Sequence, residues 1–345
     1  MKLALDAMGG DNAPQINIDG AKLALQKVER LEKLCLVGDE AVLRKLCEEA
    51  GIAADRRLEI VHAPEVVGMD ESGLLAVRKK KNSSMSVAVD LVKSGSCDAV
   101  LSAGNTGAAV AASTIKLRLL PGVERAGILS PIPKPEGWTI VSDTGANPDA
   151  TPAQQVGYAV MAATAARYLY DKPQPRVAVM SNGTEDCKGS ERSLETYALL
   201  QKLSEKGVLP FEFKGNGEGH DLFSDEFDVF VTDGFTGNIL LKSVEATAKT
   251  MSGMIKTGVK KSALAMVGAL LMKSVFRALK ERMNADSIGG SPLMGVNGVS
   301  IIAHGSATGE AIYNAIRMAE SMCRHNVNDR IVEAMAAINP LLQEK

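Results

Sequence analysis

The stretch A-V-L-S-A-G-N-T-G-A-A-V-A-A, Ala99–Ala112, joins a short apolar strand to an Ala-rich helix through a glycine-rich loop. This order recurs along the chain, and such repetition predicts a parallel sheet with helices on both faces. The predicted strands are Lys2–Leu5, Leu34–Val37, Leu58–Val61, Ala99–Leu101, Thr139–Val141, Val177–Met180, Val229–Val231 and Val299–Ala303. The predicted helices begin near Pro14 and cover Glu40–Ala50, Pro152–Tyr170, Ser190–Glu205 and Ala307–Cys323. We therefore predict one α/β domain over residues 1–345, a three-layer α/β/α sandwich with a mostly parallel sheet.

Polar, glycine-rich segments follow the carboxyl ends of six of these strands. They are D-A-M-G-G-D at Asp6, S-A-G-N-T-G at Ser102, S-D-T-G-A-N at Ser142, S-N-G-T-E-D-C-K-G at Ser181, D-G-F-T-G-N at Asp233 and A-H-G-S-A-T-G at Ala303. In open α/β sheets, ligands bind outside the carboxyl ends of the strands. We expect these six loops to converge on one edge of the sheet and to form the functional site there.

One region departs from this alternation of strands and helices. Residues Val244–Met283 are predicted to form two helices, a hairpin with its tip at Lys260–Met272. The segment Ala263–Met272 is apolar or glycine throughout, and seven cations flank it: Lys256, Lys260, Lys261, Lys273, Arg277, Lys280 and Arg282. The only acid among the flanking residues is Glu281.

Composition excludes several classes of protein. The formal net charge is −2 and aromatic residues make up 4%, which disfavours nucleic-acid binding by aromatic stacking. The five cysteines are scattered without a C-x-x-C pair, which is typical of reduced thiols in the cytosol. No apolar stretch approaches the roughly 20 residues of a membrane span, and the N-terminus is predicted to be a strand rather than a signal peptide. These features predict a cytoplasmic protein and leave attachment to a membrane surface open.

Several familiar motifs are missing from the sequence. It contains no G-x-x-x-x-G-K-[ST] loop and no G-x-S-x-G nucleophile elbow, and G-N-G-E-G at Gly215 has the wrong spacing for a dinucleotide fingerprint. The histidines show no metal-ligand spacing. We therefore expect no cofactor and no metal, and the chemistry has to come from the glycine-rich loops.

Three residues of these loops are the catalytic candidates. Lys188 could balance the charge of a phosphate or of a developing oxyanion, although a lone loop lysine is usually just solvated. His304 could donate a proton or a hydrogen bond, or it could simply cap the following helix. Asp143 could orient a basic partner or bind a metal, or it could stabilise a turn by an Asx hydrogen bond.

The remaining candidates are suited to anion binding, because glycines allow close backbone approach and helix N-termini present free amides. The run R-K-K-K-N-S-S-M, Arg78–Met85, adds four cations and two serines at a helix start, although charge runs are most often solvated. The predicted phosphate- or substrate-binding residues are Asp6, Gly9, Gly10, Asp11, Lys80, Ser83, Ser84, Gly104, Asn105, Thr106, Gly107, Asn147, Asn182, Asn216, Asp233 and Asn238.

Taken together and in this order, the segments resemble the bacterial acyl-acyl carrier protein:phosphate acyltransferase family. The matching segments include L-A-L-D-A-M-G-G-D, I-V-H-A-P-E-V-V-G-M-D-E, R-K-K-K-N-S-S-M, S-A-G-N-T-G, D-T-G-A-N, K-G-S-E, D-G-F-T-G-N, G-G-S-P-L-M-G-V-N-G-V and A-H-G-S. They extend from Met1 to about Ala319, and a dozen motifs in register are specific where each alone is weak. Ser142 departs from the family pattern, which usually has an apolar residue before the aspartate.

The resemblance implies a fold like that of isopropylmalate dehydrogenases and phosphotransacetylases, a homodimer, and peripheral membrane association. It implies transfer of a fatty acyl group from acyl-acyl carrier protein to inorganic phosphate, giving acyl phosphate for phospholipid synthesis. The implied partners are acyl carrier protein, inorganic phosphate and a downstream glycerol-3-phosphate acyltransferase, with no nucleic acid among them.

A mechanism follows from the chemistry of these substrates. A thiol of pKa about 8.5 leaves readily as thiolate, so the enzyme mainly has to position two substrates and stabilise an oxyanion. Loop amides, Lys188 and His304 are the groups we expect to do this without a covalent acyl-enzyme. The apolar tip would dip into an anionic membrane surface through Leu264, Met266, Val267, Leu270 and Leu271, or it would form a dimer interface.

Two other functions share the predicted fold. A nicotinamide-dependent decarboxylating dehydrogenase would need an acidic metal cluster and arginines for a dicarboxylate, and the six loops contain no arginine. A non-catalytic scaffold for acyl carrier protein at the membrane would have no use for convergent polar loops.

Overall fold

A single large sheet forms the centre of the protein in the computed structural model, which describes residues 1–283 and 288–342. The strands are β1 (Lys2–Asp6), β2 (Lys33–Gly38), β3 (Leu58–His62), β4 (Ala99–Ser102), β5 (Gly127–Pro133), β6 (Trp138–Ser142), β7 (Arg176–Met180), β8 (Glu212–Gly217), β9 (Val229–Val231), β10 (Ser291–Met294) and β11 (Val299–Ile302). The helices are α1 (Gln15–Lys27), α2 (Glu40–Ala50), α3 (Gly73–Lys79), α4 (Ser84–Lys93), α5 (Thr106–Leu117), α6 (Pro152–Leu169), α7 (Glu191–Glu205), α8 (Gly234–Lys260), α9 (Ala263–Leu271), α10 (Lys273–Met283), α11 (Gly309–Arg324) and α12 (Val327–Leu342). A 3₁₀ helix covers Gly219–Phe223.

The predicted α/β sandwich is confirmed by the way the strands divide their side chains. Along β1, Leu3 and Leu5 join one buried apolar cluster, whereas Ala4 joins a second cluster. Leu36 and Val37 on β2 divide in the same way. Because successive side chains of a strand point to opposite faces, the sheet has an apolar core on each side. Helices cover both cores.

The order of the strands is β3-β2-β1-β4-β11-β10-β5-β6-β9-β7-β8. The first five are parallel to one another, and β6, β9, β7 and β8 are likewise parallel. The antiparallel pairs β11–β10, β10–β5 and β5–β6 connect these two groups, so the second group runs opposite to the first. The six loops therefore do not leave one edge of a parallel sheet, and that part of the prediction is wrong.

Helix α6 shows how a long predicted helix is fixed at its start. Thr151 accepts a hydrogen bond from the Gln154 amide, and the Gln154 side chain accepts one from the Thr151 amide. This capping box spans Pro152, which has no N–H to be satisfied at the first helical position. The helix ends at Leu169, one residue before the predicted end.

The region predicted as a two-helix hairpin over Val244–Met283 contains three helices. The Asp233 carboxylate accepts the Thr236 amide and starts α8 ten residues earlier than predicted. Ser262 caps α9, so the apolar tip is itself helical. We call α8, α9 and α10 the arm. Within the described residues, no helix has the length and apolarity needed to span a bilayer.

Candidate active site

The carboxyl ends of the two strand groups meet at one level of the sheet, although the groups run in opposite directions. Ile302, the last residue of β11, lies opposite Ser291 on β10. Ser142, the last residue of β6, lies opposite Leu129 on β5, next to Ser130. The Ser130 and Ser291 hydroxyls are 3.0 Å apart, so both strand ends reach the same height. This register brings the loops after β4, β11, β6 and β9 to one cleft.

The central cleft has a volume of about 170 Å³ and mixes polar with apolar lining. The lining side chains that matter below are Thr106, Ile128, Ser130, Pro131, Thr144, Asn238, Leu241, Lys242, Glu245, Ile288, Ser291, Ile302 and His304. A larger groove of about 730 Å³ lies at the amino ends of β1 and β11, away from all six loops. We place the candidate site in the central cleft because four of the six predicted loops, those after β4, β6, β9 and β11, meet there.

His304 follows β11 and has an exposed side chain at the cleft. Its Nδ1 atom lies 2.8 Å from the Ser306 hydroxyl and accepts the Ser306 amide at 3.2 Å. Its Nε2 atom lies 3.5 Å from Lys242 Nζ, which also forms a 2.8 Å ion pair with Glu245. The structure therefore joins a predicted residue to two that the sequence reading missed.

Hydroxyl groups form the floor of the cleft. The Ser130 Oγ atom lies 2.7 Å from Thr144 Oγ1 and 3.0 Å from Ser291 Oγ. Thr144 also donates to the Ile128 carbonyl at 3.2 Å. A hydroxyl can donate or accept, so this row can reorient toward a bound oxyanion.

The loop after β1 supports the His304 loop from one side. The Asp11 amide donates to the Gly305 carbonyl at 2.8 Å. Asp6 is buried and accepts the Ser102 hydroxyl at 2.7 Å, and burial raises the pKa of its carboxyl group. A Cβ at Gly9 would lie 2.6 Å from that carboxylate, and Gly10 has φ +119°, so both positions require glycine. Asp6 therefore holds the loop from within and is not exposed to the cleft.

The loop after β4 presents Thr106 to the cleft and keeps Asn105 beneath it. The Asn105 amide group donates to three carbonyls, those of Gly68, Met69 and Glu71, and its oxygen accepts the Ala108 amide. Gly104 donates its amide to the Ser102 hydroxyl at 3.0 Å. Asn105 thus fixes the loop, and Thr106 is the residue of this motif that faces a ligand. Gly107 directly follows it on α5 and approaches α3 closely, since a Cβ on Gly73 would lie 2.2 Å from the Gly107 carbonyl carbon.

The basic run before α4 is held by local contacts. Lys80 forms an ion pair with Glu71 and donates to the Val66 carbonyl at 2.8 Å. Ser83 is buried and caps α4, and buried Ser84 donates its amide to the Glu65 carbonyl. None of these three side chains lines the central cleft.

Asp143 lies beneath the loop after β6 and is fully buried. Its carboxylate accepts the amides of Ile128, Gly145, Ala146 and Asn147 at 2.7–3.2 Å. Burial raises the pKa of this carboxyl group, and the four amides oppose that shift. The Asn147 side chain donates to the Ala126 carbonyl and lies 2.8 Å from the Tyr158 hydroxyl. These contacts are those of residues that shape a loop.

Helix α8 begins on that same loop. A Cβ at Gly237 would lie 1.9 Å from the Asp143 carbonyl oxygen, so only glycine allows this approach. Asp233 caps the helix, and Asn238 reaches the cleft. Asn238, Lys242 and Glu245 are spaced i, i+4 and i+7, which places them on one helix face. This spacing was the signal in the sequence that could have identified Lys242.

Lys188, Asn182 and Asn216 lie apart from the central cleft. Asn182 and Lys188 belong to the loop after β7, and Asn216 lies on β8. Asn216 donates to the Glu185 carbonyl at 2.8 Å, and Lys188 is exposed. Five strand intervals separate β11 from β7, which corresponds to about 24 Å at the usual strand spacing of ~4.8 Å. The structure does not bring Lys188 into contact with His304.

The predicted membrane residues lie on α9, at the end of the arm. Leu264 and Leu271 are each 82% exposed, and Met266, Val267 and Leu270 are also exposed. No residue of α9 is buried. Arg282 on α10 donates to the carbonyls of Lys134 and Pro135 and thereby ties the base of the arm to the β5–β6 turn. The side chains of Lys280 and Glu281, which were part of the predicted flank, lie outside the described part of the chain.

Comparison with known proteins gives one family and one fold. A family model described as fatty acid synthesis protein matches residues 1–330. A phosphate acyltransferase of Akkermansia muciniphila is 59% identical over 341 residues, covering 99% of this chain and 97% of that protein. A phosphate acyltransferase of Geobacter sulfurreducens is 41% identical over 336 residues, covering 97% and 94%.

The likeness extends to solved structures at lower identity. A phosphotransacetylase from Streptococcus pyogenes aligns with a TM-score of 0.59 and 19% identity, covering 98% of this chain and 94% of that one. At this identity the match concerns the fold alone. It confirms the phosphotransacetylase-like fold that the sequence motifs implied.

Proposed function

We propose, because the chain belongs to the phosphate acyltransferase family, that it transfers a fatty acyl group from acyl carrier protein to inorganic phosphate. The product is acyl phosphate, which a downstream glycerol-3-phosphate acyltransferase consumes in phospholipid synthesis. The observation that supports this most is the central cleft, where a lysine, a histidine and three hydroxyls lie beside apolar residues.

The cleft suits both substrates of this reaction. Lys242, His304 and the row formed by Ser130, Thr144 and Ser291 offer donors to phosphate oxygens or to an oxyanion. Leu241 and Ile302 line the same cleft and offer apolar contact to the beginning of an acyl chain. A site that mixes convergent donors with apolar walls fits a phosphate and a fatty acyl thioester together.

The reaction balances without a covalent enzyme intermediate. A phosphate oxygen attacks the thioester carbonyl carbon, a C–O bond forms, and the carbonyl oxygen becomes an oxyanion. The C–S bond then breaks, and the thiolate leaves with the electron pair. The proton lost from phosphate ends on the carrier thiol, whose pKa of about 8.5 favours protonation at neutral pH. The protein contributes position and hydrogen bonds to the oxyanion.

Of the predicted catalytic residues, His304 is the one at the cleft. We propose that it donates a hydrogen bond to the oxyanion or to phosphate. We also propose that Lys188, in the separate loop after β7, contributes positive charge to the reaction. Lys188→Ala is expected to lose turnover with the fold intact, and a fully active variant would remove Lys188 from the scheme.

The first experiment is to incubate purified protein with palmitoyl-acyl carrier protein and phosphate. Mass spectrometry then measures acyl phosphate and free carrier thiol. Phosphate-dependent release of both products is the expected result. If the acyl carrier protein binds but its thioester is not cleaved, the result would favour a scaffold. Failure to bind the carrier protein would favour the dehydrogenase alternative.

We also propose that the protein works as a homodimer at an anionic membrane surface. The exposed apolar tip and its lysines support the membrane part of this proposal, since an apolar helix next to cations favours a headgroup interface. Deleting Ala263–Met272 is expected to abolish binding to vesicles that contain anionic lipid while phosphate-dependent thiol release persists. Unchanged vesicle binding would defeat the membrane proposal, and a dimeric mass that survives the deletion would place the dimer interface elsewhere.

A further inference from the structure

The hydrogen bonds around His304 favour one assignment of its ring proton. The Ser306 backbone amide donates to His304 Nδ1, and an amide N–H cannot accept. We assign the proton of the neutral ring to Nε2, because Nδ1 accepts the Ser306 amide and can also accept the Ser306 hydroxyl, which lies 2.8 Å away. The Nε2–H group points toward Lys242, whose ammonium group is 3.5 Å away.

Two donors thus face each other across a short gap. The Lys242 ammonium has only protons to offer, and so does Nε2–H in this tautomer. An oxygen can lie about 2.8 Å from both nitrogens, which is the usual length of a charge-assisted hydrogen bond. A pair of donors at this spacing is complementary to an anionic oxygen.

The existing partner of Lys242 does not prevent this. Its ion pair with Glu245 is half exposed on both sides, and such pairs contribute little to stability. The ammonium can therefore turn toward a ligand at small cost. The hydroxyls of Ser130, Thr144 and Ser291 line the same cleft and can donate to further oxygens of that ligand.

We infer that Lys242 and His304 Nε2 form the phosphate-binding site in the central cleft, with Glu245 as a positioning residue for the lysine. This inference rests on the proposed function and assigns the phosphate substrate to α8 and the loop after β11. It places that substrate away from Lys188 and the loop after β7. Lys242 is then a catalytic residue of the reaction.

The experiment compares Lys242→Gln and Lys242→Arg with the wild type in phosphate-dependent release of carrier thiol. Loss of one charge-assisted hydrogen bond is expected to raise the KM for inorganic phosphate by about 10- to 100-fold in Lys242→Gln. The KM for acyl-acyl carrier protein is expected to stay within about twofold. Lys242→Arg keeps the charge and is expected to recover part of the phosphate affinity.

The matched control is Lys249→Gln, which removes an exposed lysine from the same helix outside the cleft. It is expected to leave both KM values unchanged. Titration calorimetry with inorganic phosphate alone gives a second readout that needs no turnover. Phosphate is expected to bind the wild type and Lys249→Gln, and to bind Lys242→Gln much more weakly.

The two proposals can fail separately. If the wild type is active and Lys242→Gln has an unchanged KM for phosphate, the proposed phosphate-binding site is wrong and the proposed acyl transfer is still supported. If the wild type binds phosphate through Lys242 but releases no thiol, the cleft is an anion-binding site and the proposed reaction is wrong. If Lys242→Gln raised the KM values for phosphate and for acyl-acyl carrier protein equally and also lowered the midpoint of unfolding, Lys242 would act on the fold. That result would overturn the inference.

Discussion

Two apolar helices of this protein have opposite environments. Helix α6 buries twelve of its 18 residues, from Gln155 to Ala166, between the sheet and neighbouring helices. Helix α9, A-L-A-M-V-G-A-L-L, has no polar side chain and yet buries none of its residues. The more apolar helix is thus the exposed one. Apolar character therefore does not decide which helix enters the core of this chain.

The difference lies in the surfaces available to each helix. The alanines of α6 allow the helix to approach the sheet closely, and α7 and α12 pack on its other sides. Helix α9 stands at the end of the arm, where the described chain supplies no core for it. A contiguous exposed apolar surface marks an interaction site in a soluble protein. We infer that α9 binds an apolar partner outside its own chain.

The comparison is tested most strongly by placing the same charge in both helices. Ala162→Asp puts a carboxylate at a position with no solvent exposure. A buried unpaired charge is among the most destabilising changes, and we expect a loss of more than about 4 kcal/mol in the free energy of unfolding. Urea denaturation followed by circular dichroism measures it.

The control for this change is Ala263→Asp at the start of α9. The site is exposed, and an acid in the first turn is favourable to a helix. The free energy of unfolding is expected to change by less than about 0.5 kcal/mol. Equal destabilisation by the two substitutions would mean that α9 is buried in the protein as it exists in solution.

The second prediction concerns the tip itself. Replacing Leu264 and Leu271 by Asp is expected to weaken binding to anionic vesicles by at least about 100-fold, because each buried leucine contributes roughly 1.5–3 kcal/mol. Vesicle co-sedimentation measures the binding, and the midpoint of urea unfolding is expected to stay at the wild-type value. Retained vesicle binding together with loss of the dimer would assign α9 to the subunit interface.

The sequence allowed much of the sheet to be predicted because its central strands are short apolar runs between helices. Helix Glu40–Ala50 was located to the residue, since Asp39 caps its start and Gly51 adopts a left-handed conformation at its end. The strands β5 and β10 were missed because prolines interrupt both, and prolines argue against strands. These are the antiparallel strands that reverse the second half of the sheet.

That reversal also limited what could be predicted about the site. His304 and Thr106 lie at a loop and a helix start as predicted, whereas Asn238 was predicted in a loop and lies within α8. The structure brings all three to one cleft. Ser130 and Ser291 lie on the two missed strands, so no strand-end argument could reach them. Lys188 was predicted to join His304 because both residues follow strand ends, but five strand intervals separate β7 from β11. The direction of a strand depends on its pairing partner, which local sequence patterns do not record.

The buried region around α6 and β7 also predicts that the stability of the fold depends on pH. Lys172, shortly after α6, and Arg176 on β7 both hold Asp228, whose side chain is 3% exposed. Burial alone would raise the pKa of Asp228, but the hydrogen bonds from Arg176 and Lys172 lower it overall. A lowered pKa stabilises the fold above the unfolded-state value near 3.9, and this stability is lost as the pH falls through the folded value.

Asp228→Asn is expected to reduce the free energy of unfolding by about 1.5–3 kcal/mol at pH 7, where it removes hydrogen bonds to a charged group. The gap between variant and wild type is expected to narrow as the pH falls below about 4. Urea unfolding between pH 3 and pH 7 measures both quantities. A constant gap across this range would mean that Asp228 contributes by shape rather than by charge.

The smallest effect is expected from the cations of the exposed side. Lys260 is the last residue of α8 and Lys261 follows it, and both are exposed. A lysine near an anionic surface contributes about 1 kcal/mol. Lys260→Gln is therefore expected to weaken binding to anionic vesicles about fivefold at low salt, and Lys202→Gln on α7 serves as the control.

The tip contains no side chain that ordinarily changes charge between pH 5 and pH 8, because residues 246–279 include no Asp, Glu or His. Vesicle binding by the tip should therefore be constant between pH 5 and pH 8 and fall with added salt, since salt screens exposed charges. Binding that changes strongly over this pH range would point to titrating groups outside the tip, and α9 would then not be the main vesicle-binding surface.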